Sequence, residues 1–177
     1  MKWVTTEHVH LDRVACPWVI IRFIDPQAEF FFVPSDRQDQ LPKNAIPVAI
    51  AGAELSPHDA DGTTFDKILR AYKLDNPALE LLAGVVRSGV HHALHKGRSD
   101  KNDVEALQGI GLDALSEGIM LTCEDDLDNI RKSMTMYDAL YAYCRAQVLL
   151  QADPALARLP FFERNKRIKT MLASKSS

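Results

Sequence analysis

The chain has 177 residues, 46% apolar and 25% charged, and a formal net charge of −3. These values fit one soluble globular domain, since a chain of this length removes roughly 70% of its unfolded surface from water on folding. They argue against a dedicated nucleic-acid surface, which carries a strong basic excess, and no apolar run reaches the roughly 20 residues needed to cross a bilayer.

Residues 3–12, WVTTEHVHLD, alternate as a strand does, with Trp3, Thr5, Val9 and Leu11 on one face and His8, His10 and Asp12 on the other. Two imidazoles and a carboxylate on one side of a strand can meet one metal ion or one polar substrate. In the following ACPWVIIRFID, Pro17 suits a first helical position, which predicts Cys16 as the cap and a helix ending before Asp25-Pro26. A thiol at a helix N-terminus, with Arg13 nearby, favours the thiolate, so Cys16 is a candidate nucleophile, ligand or electron donor. The same helix start, with Arg13, can hold an oxyanion. Arg22, alone on an apolar helix, needs an acidic partner or an anion, and a structural partner is the expectation.

AEFFFVP and IPVAIA read as two further strands, with the polar loop SDRQDQLPKN between them. ELSPHDADG is a turn carrying His58 beside Asp59 and Asp61, where a ligand or an acid–base group is well placed. TTFDKILRAYKL then opens a helix at Thr63, and Asp66 three residues on completes a capping-box pattern. From residue 77 onward the apolar spacing is helical in four successive segments. His91 and His95 stand four apart at a helix end that runs into a polar loop, and a solvated end is expected there. The acidic run CEDDLDN at 123–129 reads as helix capping, and Tyr137, Tyr141 and Cys144 form one core-facing stripe.

Strands lead and helices follow. The expected fold is therefore α+β, a small sheet of about three N-terminal strands packed against a mainly helical C-terminal part, rather than an alternating parallel fold. One domain spans 1–177, with a mobile loop at 96–103 and a frayed tail at 170–177. The three cysteines, at unmatched spacings and without a CxxC pair, predict reduced thiols, and the N-terminus has no leader pattern, so a cytoplasmic protein is expected. No glycine-rich phosphate loop is present, so no nucleotide cofactor is expected.

Residues 3–34, W-V-T-x-E-H-V-H-L-D-R-V-A-C-P-W-V-I-x-R-F-I-D-P-x-A-E-F-x-F-V-P, strongly resemble the opening of the chromate-resistance domain, the module forming the C-terminal part of ChrB-type proteins. Looser similarity continues through GAELSPHDADGTTFDKIL, LAGVVRSG, GLDALSEGI and MTMYDALYAYCR, to about residue 145. The residues carried over are His10, Asp12, Arg13, Cys16, Trp18, Arg22, His58, Phe65, Asp66 and Arg87. The chain departs from the pattern at Thr63, where members often carry cysteine, and at Val90 or His91, where they carry aspartate.

The resemblance implies a role in chromate sensing or resistance. ChrB regulators are larger, with an N-terminal part linked to transcriptional control, so direct nucleic-acid binding is not expected of this domain. The resulting expectation is a pocket in which Arg13, Arg22 and Arg87 bind a small oxyanion such as chromate. His10, Asp12, His58 and Asp66 are the candidate ligands of a divalent iron, manganese or zinc ion, and Cys16 is the candidate reactive group. A metal-dependent or redox enzyme and a regulatory interaction module without a metal are the alternatives, and exposed apolar residues on a late helix favour the last. A homodimer is the prior for the assembly, with no membrane partner.

Overall fold

The computed structural model describes residues 1–37, 41–95 and 104–174. The predicted mobile loop at 96–103 lies outside these residues, as do 175–177 of the predicted tail.

The three strands are β1 (Lys2–Thr6), β2 (Glu29–Val33) and β3 (Ala45–Pro47), in the order β2-β1-β3. β1 pairs in parallel with both neighbours, Trp3 opposite Phe30 and Ile46. The fold is α+β as expected, yet the small sheet itself is parallel. That follows from the connection: β1 leads into helix α1 (Asp12–Val19) and a π-helical segment (Ile20–Ile24), which carry the chain back to start β2 on the same edge direction. Six further helices follow: α2 (Thr64–Ala71), α3 (Pro77–Leu94), α4 (Val104–Met120), α5 (Asp126–Ala152), α6 (Pro154–Ala157) and α7 (Phe161–Ser174). α7 thus holds residues 170–174 in helix, where a frayed tail was predicted.

Local signals explain several boundaries. Thr63 caps α2 through the full capping box with Asp66, and Asn76 caps α3 ahead of Pro77. Pro17 lies inside α1 rather than at its first turn, so Cys16 is not a cap. Pro17 has no N–H to give to the carbonyl one turn back, and the chain widens soon afterwards, where Asp25 N–H bonds to Ile20 O at 2.8 Å.

Trp3, Trp18, Phe65, Leu79, Leu82 and Tyr137 are buried in one core shared by the sheet and helices α1, α2, α3 and α5. α3 and α4 approach most closely at Gly89 and Gly109: a Cβ on Gly109 would lie 2.5 Å from Gly89 N and 2.6 Å from Ser88 C. Only a residue without a side chain permits that approach. Among the described residues no helix is long and apolar enough to cross a membrane, and all three cysteines are free.

Candidate functional site

The strand does not reach the histidines. β1 ends at Thr6, and residues 7–11 form a turn in which His8 and Leu11 hold positive φ angles of 61° and 46°. Such conformations cost energy in residues with side chains and persist where the surroundings impose them. Here α4 and α5 impose them. The Asp126 carboxylate accepts the N–H of His8 at 3.0 Å and of Val9 at 2.8 Å. Ser116 Oγ accepts the N–H of Leu11 at 3.0 Å, Asn129 Nδ2 donates to Val9 O at 2.9 Å, and the Tyr137 hydroxyl donates to Leu11 O at 3.1 Å. Arg13 closes the turn from the other side, donating to Glu7 O at 3.0 Å, His8 O at 2.9 Å and Thr6 Oγ1. The expected row of His8, His10 and Asp12 on one strand face is therefore replaced by a turn that keeps His10 and Asp12 at one cleft and parts His8 from them.

Asp12 opens α1 and is buried. Its carboxylate accepts the N–H groups of Thr64 and Phe65, both at 2.9 Å, and so seals the N-terminus of α2. Burial raises its pKa above the ordinary carboxylate value, while the two N–H donors pull the other way. Cys16 lies one turn along α1, fully buried, with Sγ 3.6 Å from Asp12 Oδ1. Burial first, then the charge of Asp12, push its thiol well above the usual range. The helix-terminus argument for a Cys16 thiolate fails because the helix begins four residues earlier. Burial also pushes Cys144 up to about 11. Native alkylation at neutral pH is accordingly expected to modify the partly exposed Cys123 first and to reach Cys16 and Cys144 only in denaturant, as peptide mass mapping would read.

The β1–α1 turn, the loop before α2 and the last turns of α3 enclose an open cleft of about 300 Å³. His10, Asp12, Arg13 and His58 all line it, beside Thr6 and Thr64, with Val90, Ala93 and Leu94 as the apolar wall. The fold thus brings together four of the predicted residues, 48 positions apart at the extremes. It lies where β1 ends, on the side of a parallel sheet that commonly receives ligands. Thr6 Oγ1 takes its hydrogen bond from Arg13, which leaves the Thr6 proton available. Burial lowers the pKa of Arg13 from its very high ordinary value. Burial likewise lowers the pKa of His10, against the opposing charges of Asp113 and Glu117.

The remaining predicted residues lie elsewhere. Asp66 accepts from Thr63 N and Oγ1, both at 2.8 Å, and pairs with Arg87. Arg22 donates through Nε and a terminal nitrogen to Asp138, at 2.8 and 2.7 Å, and Trp18 Nε1 donates to the same carboxylate at 2.8 Å. This is the acidic partner that Arg22 was expected to need. Hydrogen bonding from Arg22 lowers the Asp138 pKa, so its contribution to stability is present above the ordinary carboxylate range and lost as pH falls through the lowered value. Arg22→Ala is expected to flatten that acid limb in denaturation curves followed from neutral to acid pH. Among the described residues, no group of three or more His, Cys, Asp or Glu side chains is placed to hold a metal ion.

His91 and His95 stack at 4.0 Å between ring centroids on the outer end of α3, away from the cleft lining. Asp113, Asp126 and Asn129 carry structural or site roles that the sequence did not assign. Asp126 lay within the run read as capping, a role that Asp125 performs by accepting from Asp128 N. For Asp113 the sequence offered no signal that set it apart from Glu105 and Glu117 on the same helix.

Fold and site together define a small α+β domain with an open cleft, lined by both polar and apolar residues, beyond the end of its central strand. The chain belongs to the family described as ChrB, C-terminal domain, which it matches over residues 3–144. A curated relative, Protein ChrB of Cupriavidus metallidurans, is 39% identical over 74 residues, which cover 42% of this chain and 22% of that protein. The chain therefore matches only about a fifth of the relative's length. No solved structure matches it.

Proposed function

We propose that this chain is a cytoplasmic chromate-resistance protein whose cleft binds a small tetrahedral oxyanion of the chromate class, for sensing or detoxification. One observation carries the reading: the cleft is lined by the Arg13 guanidinium, the Thr6 hydroxyl and the imidazoles of His10 and His58, and its one acid, Asp12, is already occupied by the N–H groups of α2. An oxyanion requires positive potential and hydrogen-bond donors, and the apolar wall of Val90, Ala93 and Leu94 strengthens both by limiting water. Arg13 contributes chiefly its charge, because its terminal nitrogens are engaged by Thr6, Glu7 and His8. Arg22 and Arg87 serve as structural ion pairs in this reading, with Asp138 and Asp66.

His58 is exposed and carries no fold contact among the described hydrogen bonds, so His58→Ala probes binding without disturbing the core. Isothermal titration with sulfate, the non-oxidising analogue, is expected to give saturable binding weakened about tenfold in His58→Ala, a loss of about 1.4 kcal/mol, and unchanged in Arg22→Ala. Absence of sulfate and chromate binding in the parent would remove the proposal.

A second reading has its own observation. The outer face of α4 exposes Leu107 and Leu115, with open space beside Gly111 and Gly118, and an apolar groove with Met136, Leu140 and Tyr143 runs along α5. A helix that is apolar on both faces suits burial against a partner, as in an interaction module or a homodimer. Light scattering at two protein concentrations tests the homodimer, and a monomer throughout would exclude it.

A further inference from the structure

The apolar groove between α4 and α5 lies midway between two oppositely charged ends. α5 has 27 residues, and Ala139, exposed in the groove, stands 13 residues from either end, about 20 Å along the axis. Residues 117–126, at the turn from α4 into α5, carry four carboxylates and no Lys or Arg. Residues 158–169, leading into and along α7, carry five Lys or Arg and one Glu. Arg145 donates to Leu172 O at 3.0 Å, and Ala146, Leu149 and Leu150 pack with Ile168 and Met171, so α7 lies beside the last turns of α5. All three features fall along one side of α5, because positions 125, 136, 139, 143, 146 and 150 follow at intervals close to whole helical turns. That stripe runs from the Asp125 cap, through the groove residues Met136, Ala139 and Tyr143, to the contact with α7.

An exposed apolar face calls for a partner, and the charge pattern selects a second copy laid in the opposite direction. Turned about Ala139, such a copy sets the acidic end of each chain against the basic end of the other, twice by symmetry. Copies laid in the same direction would set like charges together, which is repulsive. We propose that the groove is the centre of a two-fold homodimer in which α5 pairs with α5 of a second copy running antiparallel. The inference rests on the homodimer reading and adds its direction and its charged contacts. Ala139 carries only a methyl group and Gly111 has open space around it, so the helices can approach closely at the crossing. Within one chain Asp128 pairs with Arg131 and Lys132, and Arg167 with Glu163. Glu124, Lys166 and Lys169 have no such ion pair among the described residues and are the groups left for the contact. Each end also exposes two large apolar side chains, Leu121 and Leu127 at the acidic end and Phe161 and Phe162 at the basic one. An apolar centre with a charged, complementary rim is the common anatomy of a protein interface.

The test follows three full-length chains by sedimentation over a dilution series: the parent, Glu124→Lys, and Lys166→Glu combined with Lys169→Glu. The parent is expected to sediment at twice the 19.8 kDa chain mass. Each charge-reversed chain alone should dissociate at least about tenfold more readily, and an equimolar mixture of the two should return to within about threefold of the parent. Only opposite ends in contact both weaken the two reversed chains and restore their mixture. A monomeric parent would overturn the homodimer reading and this inference together, and would leave the face to a different partner. A dimeric parent whose reversed chains associate as tightly as it does, or whose mixture gains nothing, would overturn this inference alone. If a reversed chain fails to fold, carbodiimide cross-linking of the parent decides. A link from Lys166 or Lys169 to an acid of residues 117–126 in the dimer band supports the antiparallel pairing, and its absence from that band overturns it.

Discussion

Asp12→Ala is expected to lower stability by about 3 kcal/mol, because it leaves two buried N–H groups, of Thr64 and Phe65, without acceptors at a helix start. Each orphaned donor costs about 1 to 3 kcal/mol, and the relief of removing a buried carboxylate returns part of that sum. Against a typical total of about 5 to 15 kcal/mol this is a large fraction. Urea denaturation of the parent and the variant reads it directly as a shift in midpoint at constant slope. Asp12 also joins α1 to α2, so its loss loosens the loop that carries His58. A variant as stable as the parent would show that the α2 N–H groups find other acceptors.

Gly109→Ala is expected to be of similar size, about 3 kcal/mol, by a different mechanism. Its new methyl group would meet the backbone of α3, with Gly89 N at 2.5 Å and Ser88 C at 2.6 Å, and backbone cannot rotate aside as a side chain can. α3 and α4 must separate. That movement would carry Ser116 away from the Leu11 N–H that it accepts, so the variant should lose melting temperature. Gly111→Ala is the control, since nothing lies within 4 Å of a Cβ there, and it should leave the melting temperature unchanged or slightly raise it through helix propensity. Equal melting temperatures for the two variants would contradict the close-contact account.

The parts of the fold written in neighbouring residues were legible in the sequence. The capping box of Thr63 and Asp66 spans three residues, and its geometry follows from the backbone alone. The long helices were legible because apolar periodicity accumulates over many turns. The β1–α1 turn was not, for a physical reason. Residues 7–12 alternate like a strand, but the chain is bent there by Ser116, Asp126, Asn129 and Tyr137, more than 100 positions away. Tertiary hydrogen bonds outweigh a local pattern of six residues. Pro17 misled in the same way: its preference for a first turn is a tendency, and the buried α1, tied by Asp12 to α2, tolerates it one turn later. The cleft was partly legible. His10, Asp12, Arg13 and His58 do share it, while the placing of Asp113 beside His10 followed only from the packing of α4 behind the turn.

The most direct measurement is a sulfate titration of the ¹⁵N-labelled protein followed by amide chemical shifts. Saturable changes clustered at residues 6–13, 57–64 and 90–94 are predicted, with the Arg22–Asp138 and Arg87–Asp66 regions silent. Changes scattered over the surface, or centred on either of those ion pairs, would contradict an oxyanion site in the cleft.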